Sequence, residues 1–475
     1  MNGNRNININ IRSVRRTIVK GGKGVDRARG TRDFLPVEMR KRRIMEERMR
    51  EIAERWGYEE ICTPTFERSE LFTLKSGEAI LKEMYEFRDK GGRHLALRPE
   101  LTAPVIRMYV NELKMVPRPT KVYYFGNCFR YEEPQKARYR EFWQFGTEII
   151  GSDSPEAQAE LIALAFSILK ALGVKAELQV GHVGLMRERL RAANLDAEEI
   201  NTVMRLIDKG EQEEVVEFMD GIGVESESRD DVLALLELKG KNVLRAAKDR
   251  NLIDGGADVV KELETVQKIL DYYNVDYTLN LGIARGLNYY TGLVFEIYEI
   301  GGALGAQNQI CGGGSYRLAA LLGGEEIPTA GFAFGFDRLV EIFSVEENSL
   351  KRRGVTVIPV PVSVRAGAGA GAGAGERDQA QEVMREAVRI TSMLRDSLHK
   401  QTPTQIDLMN RSLSAQLKSA NARGDLFAVL IGKDELGQGK VTLRDLKTGE
   451  QERIAVDDCV ARLEALFGEE FRIEG

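Results

Sequence analysis

Residues 129–148 read FRYEEPQKARYREFWQFGTE, and this stretch decides the fold. Two runs of strand-forming residues surround a polar loop, which is typical of an antiparallel hairpin. Side chains two positions apart on a strand share one face. The predicted face carries Arg130, Glu132, Arg138, Arg140, Phe142, Gln144, Gly146 and Glu148. Cross-strand salt bridges on a solvated face would explain these charges but not the aromatic neighbours. Arginine forks match phosphate oxygens, so the pattern favours a nucleotide triphosphate site.

Three later stretches also carry residues suited to a ligand. ARGLNYYTG (284–292) sets Arg285 ahead of two tyrosines, although alone it is better explained as a core strand with one exposed arginine. CGGGSY (311–316) has three glycines that allow close approach to the backbone, but plain turns also use such runs. GFAFGFDRL (331–339) places Arg338 near the start of a helix. That position suits a phosphate or a stacked base, or belongs to an ordinary capped helix.

The rest of the chain separates into blocks of different pattern. A long amphipathic helix is predicted from Pro36. A strand is predicted over residues 59–66, and Pro64 inside it indicates an edge or an interface. Residues 186–272 are almost wholly helical in pattern and separate two β-rich regions, which indicates a helical insertion in a larger domain. Strand–helix alternation over residues 354–475 predicts a smaller α/β domain.

Two stretches have biased composition. Residues 1–29 form a basic arm, and residues 1–32 hold nine Lys and Arg against one acid, a net charge of +8. A disordered tail is the favoured interpretation, and a non-specific phosphate-binding arm is the alternative. Residues 366–375 alternate strictly between Ala and Gly. We interpret them as a flexible connection.

Composition excludes several classes of protein. The 475 residues are 43% hydrophobic and 30% charged, which argues against wholesale disorder. No apolar run approaches the roughly 20 residues that span a bilayer, and no signal-peptide core is present, so a cytoplasmic protein without a membrane partner is expected. Four cysteines and three histidines lie at no metal-ligand spacing, so we expect no metal site built from them. The net charge of −5 means that nucleic-acid binding must use local patches.

Together and in this order, the quoted stretches resemble the signature motifs of class II aminoacyl-tRNA synthetases. Residues 130–142 resemble motif two, and residues 335–338 resemble motif three. The helix from Pro36 with the following strand resembles motif one, the usual dimer interface. LRPELTAP (97–104), the hairpin and ARGLNYYTG are similar to the histidyl-tRNA synthetase pattern. Ser315 and Arg317 stand after the triple glycine where that family often has Arg and Asp, which resembles its archaeal-type variant.

This resemblance implies an α+β protein. A class II catalytic domain, an antiparallel sheet flanked by helices, would cover residues 30–345 and include the helical insertion 186–272. An α/β anticodon-binding domain would cover residues 354–475. The implied enzyme is a homodimeric ligase that activates histidine with ATP and transfers it to histidine tRNA, with Mg²⁺ bridging the triphosphate oxygens. Such a reaction needs no protein nucleophile, because catalysis is positioning and charge neutralisation.

The resemblance also implies roles for single residues. Arg130 and Arg285 would be catalytic and would hold the α-phosphate. The residues implied to bind ATP are Arg130, Glu132, Arg138, Phe142 and Arg338. The residues implied to bind histidine are Glu100, Thr102, Gln144, Glu148, Arg285, Tyr289 and Tyr290. Within this set, Glu100 and Thr102 would bind the ammonium group with help from Gln144, and Glu148 would accept from a ring N–H.

Some positions depart from the family pattern, and rival functions remain open. Ala137 stands where glycine is common, and Asn288 stands where the family usually has aspartate. One rival is a non-catalytic histidine sensor, the regulatory subunit of ATP phosphoribosyltransferase, which generally lacks the C-terminal domain and the phosphate-binding arginines. Another is a class II enzyme for proline, threonine or glycine, against which ARGLNYYTG argues.

Overall fold

The computed structural model of the chain describes residues 25–73, 82–133, 138–254, 257–283, 290–305, 308–346, 350, 353–360, 374–398, 402–409 and 411–473. The chain divides into two compact units on either side of the Ser344–Val345 bond. No helix among these residues is long and apolar enough to cross a membrane.

The described part of the first unit contains a nine-stranded sheet. Its strands are β1 (Glu59–Glu60), β5 (Thr120–Phe129), β6 (Glu141–Ile150), β7 (Ala176–His182), β8 (Lys239–Gly240), β9 (Thr278–Asn280), β10 (Tyr290–Glu299), β11 (Gln309–Tyr316) and β12 (Thr329–Gly335). They are ordered β1-β5-β6-β12-β11-β10-β7-β9-β8. Apart from the parallel pairs β1–β5 and β7–β9, neighbours are antiparallel. A small antiparallel sheet joins β2 (Phe66–Arg68), β4 (His94–Leu97) and β3 (Tyr85–Arg88).

Helices flank the large sheet, and a run of them leads out of β7. The flanking helices are α1 (Pro36–Arg55), α4 (Pro155–Ala171) and α11 (Phe336–Ile342). A further helix, α2 (Glu70–Thr73), contacts β2 of the small sheet and α3 (Thr102–Met108, continued by one turn of π-helix over Tyr109–Leu113). The run after β7 contains α5 (Val183–Ala192), α6 (Ala197–Lys209), α7 (Gln212–Gly221), α8 (Ser226–Glu237), α9 (Val243–Asp249) and α10 (Asp258–Tyr272). A 3₁₀ turn covers Ala320–Leu322. The α10 helix packs against α4, which also contacts α1 and β12.

Apolar periodicity explains why α1 forms and where it packs. Met45, Met49 and Ile52 recur on one face and are almost fully buried, whereas the opposite face is rich in Arg and Glu. The helix ends where Gly57 adopts a left-handed φ of +80°. The expected α+β architecture, with an antiparallel sheet flanked by helices, is therefore confirmed.

Three details differ from the sequence prediction. The strand predicted over residues 59–66 is wrong as one element, because β1 ends at Glu60 and β2 begins at Phe66. Pro64 lies between them, where its missing N–H costs no sheet bond. A helix, α3, follows LRPE, although the pattern of residues 81–150 predicts only strands and turns. The two strands of the hairpin stop at Phe129 and restart at Glu141, so the strict alternation does not extend over residues 130–140.

The second unit is a smaller α/β fold. Its strands are β13 (Val355–Pro359), β14 (Thr404–Ile406), β15 (Phe427–Ile431), β16 (Lys440–Asp445) and β17 (Gln451–Ala455), ordered β14-β13-β15-β16-β17. Its helices are α12 (Ala374–Ser397), α13 (Leu413–Arg423), α14 (Lys433–Leu436) and α15 (Cys459–Ile473). Val357, Val429 and Leu463 belong to its buried core. The Ala–Gly stretch lies outside the described residues up to position 373, and α12 begins within it at Ala374.

Candidate active site

One face of the large sheet has a floor of glycines. Gly331 pairs with Glu148 on β6 and with Gly314 on β11, and cross-strand partners share a face. A Cβ atom on Gly331 would stand 1.6 Å from Glu148 Oε2, and one on Gly314 would stand 2.9 Å from the ring of Tyr290. A Cβ on Gly146 would meet the Tyr124 hydroxyl at 2.4 Å. These glycines therefore give the protein's own polar side chains room to lie over the sheet.

Glu148 is the buried carboxylate at one end of this face. Its side chain is 1% exposed, and both of its oxygens accept hydrogen bonds from tyrosine hydroxyls. Tyr124 donates to Oε1 at 3.2 Å, and Tyr316 donates to Oε2 at 2.6 Å. A carboxylate has about four lone-pair sites, so its chemistry suits an N–H donor as well as hydroxyl donors. The ring of Tyr290 lies edge-on to Tyr316, with centroids 6.4 Å apart.

Burial keeps Tyr124 protonated. Desolvation, followed by the negative charge of Glu148, raises the pKa of Tyr124 well above its usual range, while a hydrogen bond with Thr102 opposes the shift. Tyr124 consequently remains a hydroxyl donor and links Thr102 to Glu148. The resemblance implies that Thr102 and Glu148 both bind histidine. The structure links these two residues through Tyr124, which the sequence analysis missed.

Glu100 and Gln144 have partners inside the protein. Glu100 caps α3 by accepting from the backbone N–H groups of Thr102 at 2.6 Å and Ala103 at 3.0 Å. Gln144 lies two positions from Gly146 on the same face, and its Oε1 accepts from the Cys128 thiol at 3.3 Å. The two hydrogen bonds of Glu100 hold its carboxylate at the positive end of a short helix.

Arginines gather at the other end of the face. Arg138 Nε donates to Glu132 Oε2, and Arg130 Nη1 lies 4.0 Å from the other Glu132 oxygen. The Arg130 guanidinium stands 5.2 Å from the centre of the Phe142 ring, and its Nε donates to the Pro99 carbonyl at 2.9 Å. The structure thus brings together four of the five predicted ATP residues in direct contacts.

Electrostatics links Arg338 to the same group. Burial, then the positive charge of Arg138, lowers the pKa of Arg338, which still leaves a guanidinium cationic near neutral pH. Burial opposes ionisation of Glu132, but the Arg138 hydrogen bond and the surrounding arginines outweigh it and lower the pKa of Glu132. An anionic ligand placed here would relieve the mutual repulsion of the guanidinium groups.

Asp337 is a buried carboxylate next to Arg338. Its Oδ1 lies 2.6 Å from Nη1 of Arg42 on α1, and both side chains are 5% exposed. Its Oδ2 accepts a hydrogen bond from the backbone N–H of Trp143 at 2.7 Å. This pair ties α1, β6 and α11 together. It positions the helix that carries Arg338 rather than facing a ligand.

Other predicted residues cannot be compared with the geometry. Arg285, Tyr289 and the variant positions Ala137 and Asn288 lie outside the described residues. Arg140 was placed on the phosphate face, but its guanidinium stacks 3.9 Å from the centre of the Tyr131 ring and its Nε donates to the Glu132 carbonyl.

Sequence reasoning missed Tyr124 and Tyr316. A signal was available for Tyr316, since it closes the quoted CGGGSY stretch. For Tyr124, the same alternation that selected Gln144 and Glu148 could have been applied to the first strand of the hairpin. The contacts themselves depend on strand register, which no single stretch reveals.

The first unit contains a largely antiparallel sheet, and a five-stranded α/β unit follows it in the chain. One face of the large sheet carries arginines at one end and a tyrosine-bound carboxylate at the other. Together these features are those of a class II aminoacyl-tRNA synthetase. The family model for histidyl-tRNA synthetase matches residues 30–339, and the model for the anticodon-binding domain matches residues 355–466. The chain belongs to the histidyl-tRNA synthetase family.

Relatives support this assignment over nearly the full length. The histidine–tRNA ligase of Archaeoglobus fulgidus is 48% identical over 441 residues, which is 93% of this chain and 100% of that protein. The histidine–tRNA ligase of Methanosarcina acetivorans is 45% identical over 439 residues, covering 92% and 98% of the two chains. The apo histidyl-tRNA synthetase of S. aureus superposes with a TM-score of 0.67 at 28% identity, covering 92% and 99%. The expected archaeal resemblance is confirmed.

Proposed function

We propose that the chain is a histidine–tRNA ligase that works in two steps on the face described above. A carboxylate oxygen of histidine attacks the α-phosphorus of ATP, and the bond to pyrophosphate breaks, giving histidyl-adenylate. The terminal adenosine hydroxyl of histidine tRNA then attacks the activated carbonyl and releases AMP. The observation that carries this proposal is the joining of an arginine-rich end and a tyrosine–carboxylate end on one glycine-floored face.

The arginine end suits the triphosphate and the adenine. Arg130 would hold the α-phosphate together with Arg285, so that charge developing at the reacting phosphorus meets preorganised donors. Arg138 would hold the pyrophosphate end. Phe142 and Arg338 would enclose the adenine ring, and Glu132 would accept from its amino group. The lowered pKa of Glu132 supports this role, since the carboxylate is then an acceptor at neutral pH.

The tyrosine end suits histidine. Glu148 would accept from an imidazole N–H, with Tyr124 and Tyr316 fixing the carboxylate from below. Tyr289 and Tyr290 would close over the ring, while Glu100, Thr102 and Gln144 would bind the ammonium group. Such a pocket rejects apolar isosteres, because its buried polar groups would be left unpaired.

The rival histidine sensor is less well supported. The relatives named above are histidine–tRNA ligases, and their match extends through the C-terminal unit that such a sensor generally lacks. Arg130 and Arg338 are also retained. We therefore propose that the second unit binds the anticodon region of histidine tRNA.

Mg²⁺ would accompany ATP. The described side chains around Glu132 are mainly guanidinium groups, and Glu132 is itself engaged by Arg138. This donor set fits phosphate oxygens rather than a resident cation. We propose that Mg²⁺ is held chiefly by the triphosphate oxygens, where it would neutralise charge.

A homodimer is also proposed, with the small sheet at its interface. Phe66 and Phe87 are 54% and 41% exposed and lie edge-to-face with centroids 6.2 Å apart. Paired exposed aromatics on a sheet are typical of a protein–protein contact. Sedimentation would give twice the chain mass, and a monomer at micromolar concentration would contradict the proposal.

We propose a cytoplasmic location, because the product supplies translation.

Amino-acid-dependent ATP–pyrophosphate exchange tests the first step. With a panel of amino acids that includes histidine, proline, threonine and glycine, we expect exchange with histidine alone. Exchange with another amino acid instead would show that histidine is not the substrate. Binding of histidine without exchange would favour the non-catalytic histidine sensor.

A further inference from the structure

We propose that residues 29–34 form a strap that holds the base of the β5–β6 connection and thereby positions the Glu132–Arg138 pair for ATP. The inference rests on the proposed function, since it assigns positioning residues to the same site. The strap lies N-terminal to α1, about one hundred positions away in sequence from the hairpin that it contacts.

The strap contacts residues on both sides of the connection. The contacts are Arg29 Nη2 to Glu133 Oε2 at 2.8 Å, Arg140 N–H to the Gly30 carbonyl at 2.9 Å, Arg32 Nη1 to the Tyr139 hydroxyl at 2.9 Å, and Phe34 edge-on to Trp143 with centroids 5.4 Å apart. Glu133 precedes the loop and Tyr139 follows it. One short segment therefore holds both sides of the connection that carries Glu132 and Arg138.

Arg140 links the strap to Arg130 and Glu132, two of the residues proposed to bind ATP. Its carbonyl accepts from the Arg130 N–H at 3.0 Å, and its Nε donates to the Glu132 carbonyl at 3.1 Å. The side chain is 7% exposed, so it has little room to move. A displacement of Arg140 would consequently shift the backbone of Arg130 and Glu132 together.

Gly30 allows the strap to approach Arg140 closely. Its φ is +84°, a conformation that favours glycine, and a Cβ atom there would stand 2.6 Å from Arg140 Cγ and 2.7 Å from Cδ. Any other residue at position 30 would push directly against the buried side chain that supports Glu132.

The strap is itself fastened to the rigid framework. Arg32 forms an ion pair with Glu38 of α1, and its Nη1 lies 3.6 Å from Glu341 Oε1 of α11. The Phe34 ring lies 4.1 Å from the guanidinium of Arg42, the partner of Asp337. The strap therefore connects the hairpin to the two helices that also hold Arg338, which fixes the two sides of the ATP end relative to each other.

Gly30→Ala tests the strap, with Gly173→Ala as the matched control. Gly173 has a similar φ of +67°, but nothing lies within 4 Å of a Cβ atom there, so it shares the conformational cost without the push. In histidine-dependent exchange we expect the KM for ATP of Gly30→Ala to rise about tenfold, near 1.4 kcal/mol. The KM for histidine should change less than about twofold, and the control should match the wild type in both.

Tyr139→Phe provides a second variant that should fold even if Gly30→Ala does not. It removes only the hydroxyl that accepts from Arg32, and we expect a smaller rise in the KM for ATP, about threefold, again without an effect on histidine. Unchanged KM for ATP in both folded variants, or equal changes in both KM values, would overturn the strap. Absence of exchange in the wild type would instead overturn the proposed function.

Discussion

Glu148 is the residue on which specificity is predicted to depend. Free histidine has an imidazole pKa of about 6.5, so near neutral pH its ring is mostly neutral and one nitrogen is a donor. Glu148→Gln keeps the shape but replaces a charged acceptor with an amide, and charge-assisted hydrogen bonds are roughly twice as strong. We expect the KM for histidine to rise at least about tenfold, near 1.4 kcal/mol, with little change for ATP. Steady-state exchange with each substrate varied separately measures both.

An ATP effect as large as the histidine effect would contradict this assignment. Tyr316→Phe is the matched variant, because it removes one hydroxyl that fixes Glu148 but leaves the carboxylate. We expect Tyr316→Phe to raise the KM for histidine, but by less than Glu148→Gln does.

Glu132 carries a pH prediction. Its pKa is lowered in the folded protein from an ordinary value of 4.5, so its pairing stabilises the fold fully above that value and is lost as pH falls through the lowered pKa. We expect the melting-temperature difference between the wild type and Glu132→Gln to stay constant from about pH 7 to about pH 5 and to shrink only at lower pH. A difference that stays constant or grows as the pH falls below about 5 would mean that the pKa of Glu132 is not lowered.

At the residue scale, period-two alternation from the sequence correctly put Phe142, Gln144 and Glu148 on one face. It failed across residues 130–140, because both strands end there and Arg140 turns onto Tyr131. It could not find the Tyr316–Glu148 contact, which joins residues 168 positions apart through sheet register.

At the scale of elements, the Arg42–Asp337 pair connects α1, β6 and α11. Removing one partner leaves a buried, uncompensated charge, which typically costs about 3–5 kcal/mol. Asp337→Ala should therefore lower the melting temperature strongly. The control is Asp276→Ala, which breaks an exposed pair with Lys241 and should have almost no effect. Equal melting temperatures for the two variants would show that the buried pair does not hold these elements.

Elements with strong local signals were predicted well, and those set by tertiary context were not. The apolar stripe of α1 was readable because it repeats every three to four residues. The break between β1 and β2 contains Pro64, which the sequence analysis interprets as a sign of an edge or an interface within one strand. The short α3 helix has few turns of periodicity to detect, and its cap Glu100 looked only like a ligand residue.

At the scale of the whole molecule, the two compact units are predicted to divide the work. A fragment that ends at Ser344 contains the entire proposed adenylation face and lacks the second unit. We expect it to retain histidine-dependent pyrophosphate exchange but to charge tRNA poorly, because the proposed anticodon-binding unit would be missing. Comparing exchange and aminoacylation rates of the same preparation measures this. Full-rate aminoacylation by the fragment would contradict an anticodon-binding role for the second unit.

Charging of tRNA by the full-length chain tests the central claim most directly. Purified protein, ATP, Mg²⁺ and labelled histidine would be incubated with a histidine tRNA transcript and, in parallel, with a transcript for another amino acid. We predict an ester of histidine on the terminal adenosine of histidine tRNA alone, with activity lost in Arg130→Ala. Tight histidine binding with no charged tRNA, under conditions where the protein is folded, would contradict the account.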